Sequence, residues 1–210
     1  TAELIRLALR GRPKQFDFVS SAAVLVGDRP ASSSPEDEDI RRLPPSMPLG
    51  SGYASGYGAS KWAGEVLLLE AHERFNLPVN IYRSDMILPH SVYRGQINAP
   101  DMFIRILFSV IATGIAPASF YQSGASATQR AHYGGLPVDF TAASISAIGA
   151  DRHLGFDTYD VVNSHTDDGI SLDRIVDWAQ SKGHIIERIE NYSDWLELFG
   201  SRMRALPADQ

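Results

Sequence analysis

The chain has 210 residues, 44% of them hydrophobic, enough for one good core and a second, smaller lobe. It carries a net charge of −6 at a pI of about 5.5. No run of adjacent basic residues exceeds Arg41-Arg42 and no run approaches 18 apolar residues, so nothing suggests a nucleic-acid surface or a membrane span. Cysteine is absent, which excludes disulfides and thiolate metal sites; with no charged leader before an apolar run, a cytoplasmic protein is expected.

Leu4, Ile5, Leu7, Ala8 and Leu9 recur at near-helical spacing and Gly11 stops them, which predicts a first helix. "QFDFVSSAAVLVG" follows. Its Phe16 and Phe18 predict a buried strand over about 15–20, with the small residues from Ser20 to Ala23 at its C-terminal end. Residues 27–56 are rich in Pro, Ser, Gly and charge and read as a long loop. A strong helix is predicted over 57–75, with Trp62, Val66 and Leu69 on its apolar side. "PVNIYRSDMIL" leads into a second strand in which Val79 and Ile81 alternate with polar residues. Helix, strand, loop, helix, strand is α/β rhythm, with parallel strands joined by crossover helices.

The second half is more mixed. An apolar helix is predicted over 101–114, ending at Gly114. A short strand follows, then a helix over about 141–149 with Thr141 as N-cap. A strand is predicted over 156–163, then a helix opened by Ser171 and stopped by Gly183. "HIIERIE" reads as a short strand and "YSDWLELFGSRMRAL" as a final amphipathic helix. Trp62, Trp178 and Trp195 are expected in the core. The histidines, His72, His90, His132, His153, His165 and His184, lack metal-ligand spacing. Asp167-Asp168-Gly169 lacks the alternating acids of a calcium loop and reads as a turn. No metal site is expected.

The chemistry concentrates in "SGYASGYGASKWAGE", residues 51–65. Tyr57 and Lys61 are four apart, one turn along the same helix face. Lysine occurs only as Lys14, Lys61 and Lys182, beside eight tyrosines. Chance would place a Tyr-x-x-x-Lys in such a chain about 0.1 times. An ammonium beside a phenol favours negative charge on its oxygen. The tyrosine can then give a proton to, or hydrogen-bond, an oxygen that becomes negative during reaction. A second hydroxyl from a strand end could hold the same oxygen, and Ser20 and Ser21 both occupy such an end.

"FVSSAAV", "GYGASKWAGE" and "PVNIYRSDMI" stand in the order typical of the extended short-chain dehydrogenases/reductases. The longer stretches "GYASGYGASKWAGEVLLLEAHERFNLPV", "RAHYGGLPVDFTAASI" and "NSHTDDGISLDRIVDWAQSKGH" resemble the C-terminal thioester-reductase domain of bacterial carboxylic acid reductases, and through it the terminal reductase domains of non-ribosomal peptide synthetases. The resemblance covers nearly all of the chain. It implies a Rossmann-like, doubly wound parallel sheet with a smaller mixed α/β substrate lobe. Residues 1–86 would be the later part of a dinucleotide-binding domain and 87–210 the substrate lobe, some of whose elements return to the main sheet. The family opens with a glycine-rich, phosphate-binding turn; this sequence has neither G-x-x-G-x-x-G nor G-x-G-x-x-G, so it is expected to be a piece of a longer protein.

The resemblance further implies site residues. Ser21, with Ser20 as the near alternative, matches the family's catalytic hydroxyl, Tyr57 its tyrosine and Lys61 its lysine. Tyr57, Lys61, Ser84, Asp85 and Met86 would lie beside the nicotinamide; Asp85 reads equally as a strand-end residue making an Asx turn. NADPH is the implied cofactor. The implied partner is an acyl or peptidyl carrier domain, whose phosphopantetheine arm presents a thioester for reduction to an aldehyde. Two other readings share these residues: a sugar-nucleotide epimerase or ketone reductase acting on a small free substrate, and a non-catalytic piece that only binds a carrier or partner.

Overall fold

The structure, a computed structural model, describes residues 1–25, 39–43, 55–95, 98–99, 101–121, 133–151, 154–164 and 171–207. Its elements run α1 (Ala2–Leu9), β1 (Phe16–Ser21), α2 (Ser55–Phe75), β2 (Val79–Ser84), β3 (Ile87–Leu88), α3 (Met102–Thr113), β4 (Ile115–Pro117), β5 (Leu136–Pro137), α4 (Val138–Ala150), β6 (Phe156–Val161), α5 (Leu172–Ser181), β7 (Glu187–Ile189) and α6 (Tyr192–Ala205). Short 3-10 turns lie at Ala22–Val24 and Ile40–Arg42.

The described residues fall into two units, Thr1–Ser91 with Gly135–Val162, and Val92–Gly134 with Asn163–Gln210. The first unit is built on a parallel sheet of order β1-β2-β6. Phe16 pairs with Val79 and Ser21 with Ser84 along β1 and β2, and Val79 with Phe156 along β2 and β6. In a parallel sheet the crossover helices cover both faces, and every residue of β2, the central strand, is buried. The alternation expected for this strand is therefore absent. Two of its polar residues are bonded across the sheet: Asn80 Nδ2 and the Tyr82 hydroxyl both donate to Asp17 Oδ1, at 3.0 and 2.9 Å.

Helix α2 crosses from β1 to β2 and brings Leu68 and Ala71 into a core with Ala8, Ile40, Leu77, Val79, Ile81 and Phe156. The most buried side of α2 is thus Gly64, Glu65, Leu68 and Ala71, and Trp62, Val66 and Leu69 flank that core, half-buried. Asn76 ends the helix at φ 50, the left-handed conformation that Asn tolerates. Strands β3 and β5 make a short parallel pair.

In the second unit, β4 and β7 pair in parallel beneath α3, α5 and α6. Val110, Ala116, Val176 and Ile186 form its core. The Trp195 ring meets Phe120 edge-on at 5.6 Å. Asp101 caps α3 through the amides of Phe103 and Ile104, and Gly114 closes it at φ 67. Ser171 caps α5, as its spacing predicts.

Three local expectations fail. Thr141 is no N-cap: α4 begins at Val138, behind a proline, and Thr141 is buried within it. The strand over 156–163 stops at Val161. Trp178 is 44% exposed, whereas Trp195 is buried; Trp178 sits on the outer side of an amphipathic helix whose buried position is Val176. The turn at Asp167-Asp168-Gly169, His132, His153, His165 and most of the 27–56 loop lie outside the described residues.

Candidate active site

The three strands of the main sheet end at Ser21, Ser84 and Val161, level with one another. The C-terminal edge of such a sheet is where α/β proteins bind ligands. Ser20 and Ser21 point to opposite sides of β1, and the structure gives them different partners. Ser20 is buried, and its hydroxyl donates to Glu65 Oε1 at 2.5 Å. Ser21 is half-buried, and its Oγ accepts from the Ala23 amide at 3.2 Å, which leaves the hydroxyl proton to donate. Of the two serines, Ser21 is the one with a hydroxyl to offer a substrate.

Tyr57 lies in the first turn of α2, 52% exposed. One turn on, the Lys61 ammonium is 5.7 Å from the Tyr57 ring centroid and 5.4 Å from that of Phe18. It donates to the carbonyl of Val19 at 2.9 Å. An ammonium has three donors, so this bond fixes its position and leaves two for other acceptors. Gly64 lets the helix come this close: a Cβ there would stand 2.7 Å from the Phe18 ring.

Beneath the pair lies a group that the sequence reading missed. Arg83 donates from Nε to Glu65 Oε1 at 3.1 Å and from Nη2 to Glu65 Oε2 at 2.7 Å. Both side chains are 0% exposed. A signal was there to find. Glu65 follows Tyr57 and Lys61 at the same four-residue step, so all three share a face, and Arg83 stands in a strand that is otherwise core.

Ser84 is buried, and its Oγ has no hydrogen-bond partner among the described residues. Such an orphan at a sheet's ligand-binding edge suits a bound group that brings its own partner. Asp85 is exposed; Met86 is half-buried, and its carbonyl accepts from Leu136 at 3.1 Å, joining it to the start of β5. Ser21 and Ser84 stand level at this strand edge, and the Lys61 ammonium is bonded to the Val19 carbonyl of β1; hydroxyls and an ammonium are the kind of donors that hold a ribose. The described residues contain no cluster of His, Asp and Glu able to hold a metal ion, and no described helix is long and apolar enough to cross a membrane.

Residues 1–145 match the model of the NAD-binding family described as male sterility protein. The chain belongs to this family. It is 50% identical over its whole length to a carboxylic acid reductase of Segniliparus rugosus, of which it covers 18%. It is 47% identical over its whole length to an isonitrile lipopeptide synthase of Mycobacterium tuberculosis, of which it covers 8%. Among solved structures it is similar to the reductase domain of a nonribosomal peptide synthetase from Mycobacterium tuberculosis, with TM-score 0.89 and 46% identity over 99% of this chain and 49% of that one. The fold is therefore that of the Rossmann-like reductase domains. The chain spans about half of the solved domain and under a fifth of the multidomain relatives.

Proposed function

We propose that these residues form part of an NADPH-dependent reductase that converts an acyl thioester, presented on the phosphopantetheine arm of a carrier domain, to an aldehyde. The observation that carries this reading is the seating of Lys61 on the Val19 carbonyl, beside the Tyr57 ring and at the strand end that bears Ser21. The likeness to carboxylic acid reductases and to a peptide-synthetase reductase domain supports the substrate class.

The reduced nicotinamide, when bound, supplies the hydride. Tyr57 and Ser21 donate hydrogen bonds to the thioester oxygen as it becomes negative, which lowers the barrier because donors placed in advance need no reorganisation. Lys61 keeps the site positive and offers its remaining N–H groups to the ribose hydroxyls. Ser84, Asp85 and Met86 line the nicotinamide. The oxyanion takes a proton from Tyr57, which solvent restores, to give the hemithioacetal; its carbonyl re-forms as the C–S bond breaks, that proton passes to the sulfur, and aldehyde and free thiol leave.

The first unit carries this chemistry and the second serves as the substrate lobe. The test is product analysis. The full-length protein, NADPH and an acyl group loaded on its carrier domain should yield aldehyde and NADP. Turnover of a free ketone or sugar nucleotide, with none of the thioester, would overturn the reading.

A further inference from the structure

Helix α2 touches β1 at three successive points. Gly64 lies against the Phe18 ring, Lys61 Nζ reaches the Val19 carbonyl, and Glu65 holds the Ser20 hydroxyl. The first is a van der Waals contact and fixes distance more than register. The second involves a half-buried lysine whose bond competes with water. The third is directional and dry: Ser20 is 3% exposed and Glu65 0%, and Glu65 is itself held by two bonds from Arg83.

We infer that Ser20 and Glu65 are positioning residues, whose hydrogen bond sets the register of α2 on β1 and thereby the place of Tyr57 and Lys61 relative to Ser21. The inference rests on the reading of Tyr57, Lys61 and Ser21 as the reacting set. A one-residue slip of β1 would turn Ser20 to the other face of the sheet. Glu65 would then lose a partner in a place without water, which costs more than an ordinary hydrogen bond gains. A buried ion pair is a poor source of stability compared with apolar side chains of the same volume. What Arg83 and Glu65 add is direction: a fixed carboxylate oxygen aimed at one serine, four residues along the helix from Lys61 and eight from Tyr57. Catalytic hydroxyls need such placement, because a displacement of about 1 Å can cost about 100-fold in rate.

The experiment compares Ser20→Ala, Ser20→Thr and Tyr57→Phe in the full-length protein, following NADPH oxidation on the carrier-bound thioester. Ser20→Ala is expected to lower kcat about ten-fold, with both KM values unchanged and the fold intact by circular dichroism at the assay temperature. Ser20→Thr, which keeps the hydroxyl, is expected to recover most of the rate. Normal kcat in folded Ser20→Ala, beside a Tyr57→Phe variant that has lost activity, overturns the positioning role and leaves the reductase reading standing. A normal rate in Tyr57→Phe overturns both. If Ser20→Ala does not fold, Ser20→Cys, which restores the volume with a weak donor, is judged by the same outcomes.

Discussion

Glu65 and Arg83 are joined by two hydrogen bonds, at 3.1 and 2.7 Å, in a pair with no exposed surface on either side chain. Removing Arg83 leaves the Glu65 charge buried without its counter-ion. Arg83→Met is therefore expected to destabilise the fold by about 3–5 kcal/mol. Glu65→Leu with Arg83→Met removes both charges and should recover much of that loss, because apolar replacements of buried pairs are often neutral. The double variant should fold and still be slow, since Ser20 has lost its acceptor. Denaturant melts alongside turnover separate the two effects.

On the proposed mechanism the Lys61 ammonium serves the site without holding the fold together. Lys61→Met removes its bond to Val19 and its charge beside Tyr57, but the side chain is only half-buried. Turnover should fall about 100- to 1000-fold, cofactor binding should weaken, and thermal stability should change little. A titration of NADPH binding and a melting curve on the same sample check this.

At Gly64 the close approach of α2 to β1 can be tested by filling it. An added Cβ would lie 2.7 Å from the Phe18 ring. Alanine favours the helix by about 1 kcal/mol over glycine, yet overpacking costs about 1–3 kcal/mol. Gly64→Ala is expected to lower the melting temperature and to slow turnover, since Phe18 also underlies Lys61. A gain in stability would contradict the contact.

Burial, and then the Asp17 carboxylate that accepts its hydroxyl, push the Tyr82 phenol well above its ordinary value, which is near 10. Tyr159, stacked on it at 5.7 Å, is also raised, first by burial and then by Asp157 and Asp151. The folded chain holds these protons more tightly than the unfolded chain. Their contribution is fully present below about pH 10 and is lost as pH rises from there through the folded values. Tyr82→Phe should cost about 1 kcal/mol near pH 8, where it removes one hydrogen bond. Its stability should then fall less steeply above pH 10 than that of the unaltered protein, as denaturant midpoints at pH 8 and 10.5 would report.

The Tyr57 and Lys61 spacing, the strand end at Ser21, and the caps at Ser171 and Gly114 were legible because each depends on neighbours within a few residues. The bonding of Ser20, Glu65 and Arg83 to one another was not, because its members come from three elements far apart in the chain. The same limit explains β2. Its alternating polar residues suggest one wet face, and only the tertiary structure shows that Asn80 is satisfied by Asp17 of β1 and Arg83 by Glu65 of α2. Thr141 failed as a cap for the opposite reason: a good local signal lost to Pro137, whose fixed φ favours starting a helix there. Ser20 and Ser21 are indistinguishable by type, and only the bond to Glu65 separates them.

In the proposed mechanism Tyr57 is the group that acts on the reacting oxygen. The most direct measurement is the rate of NADPH oxidation by the full-length protein on its carrier-bound thioester, with and without Tyr57→Phe, together with the NADPH dissociation constant of each. Loss of one hydroxyl donor should lower kcat about 100-fold or more, while NADPH binds nearly as before. A Tyr57→Phe variant that turns over at close to the normal rate would contradict the account.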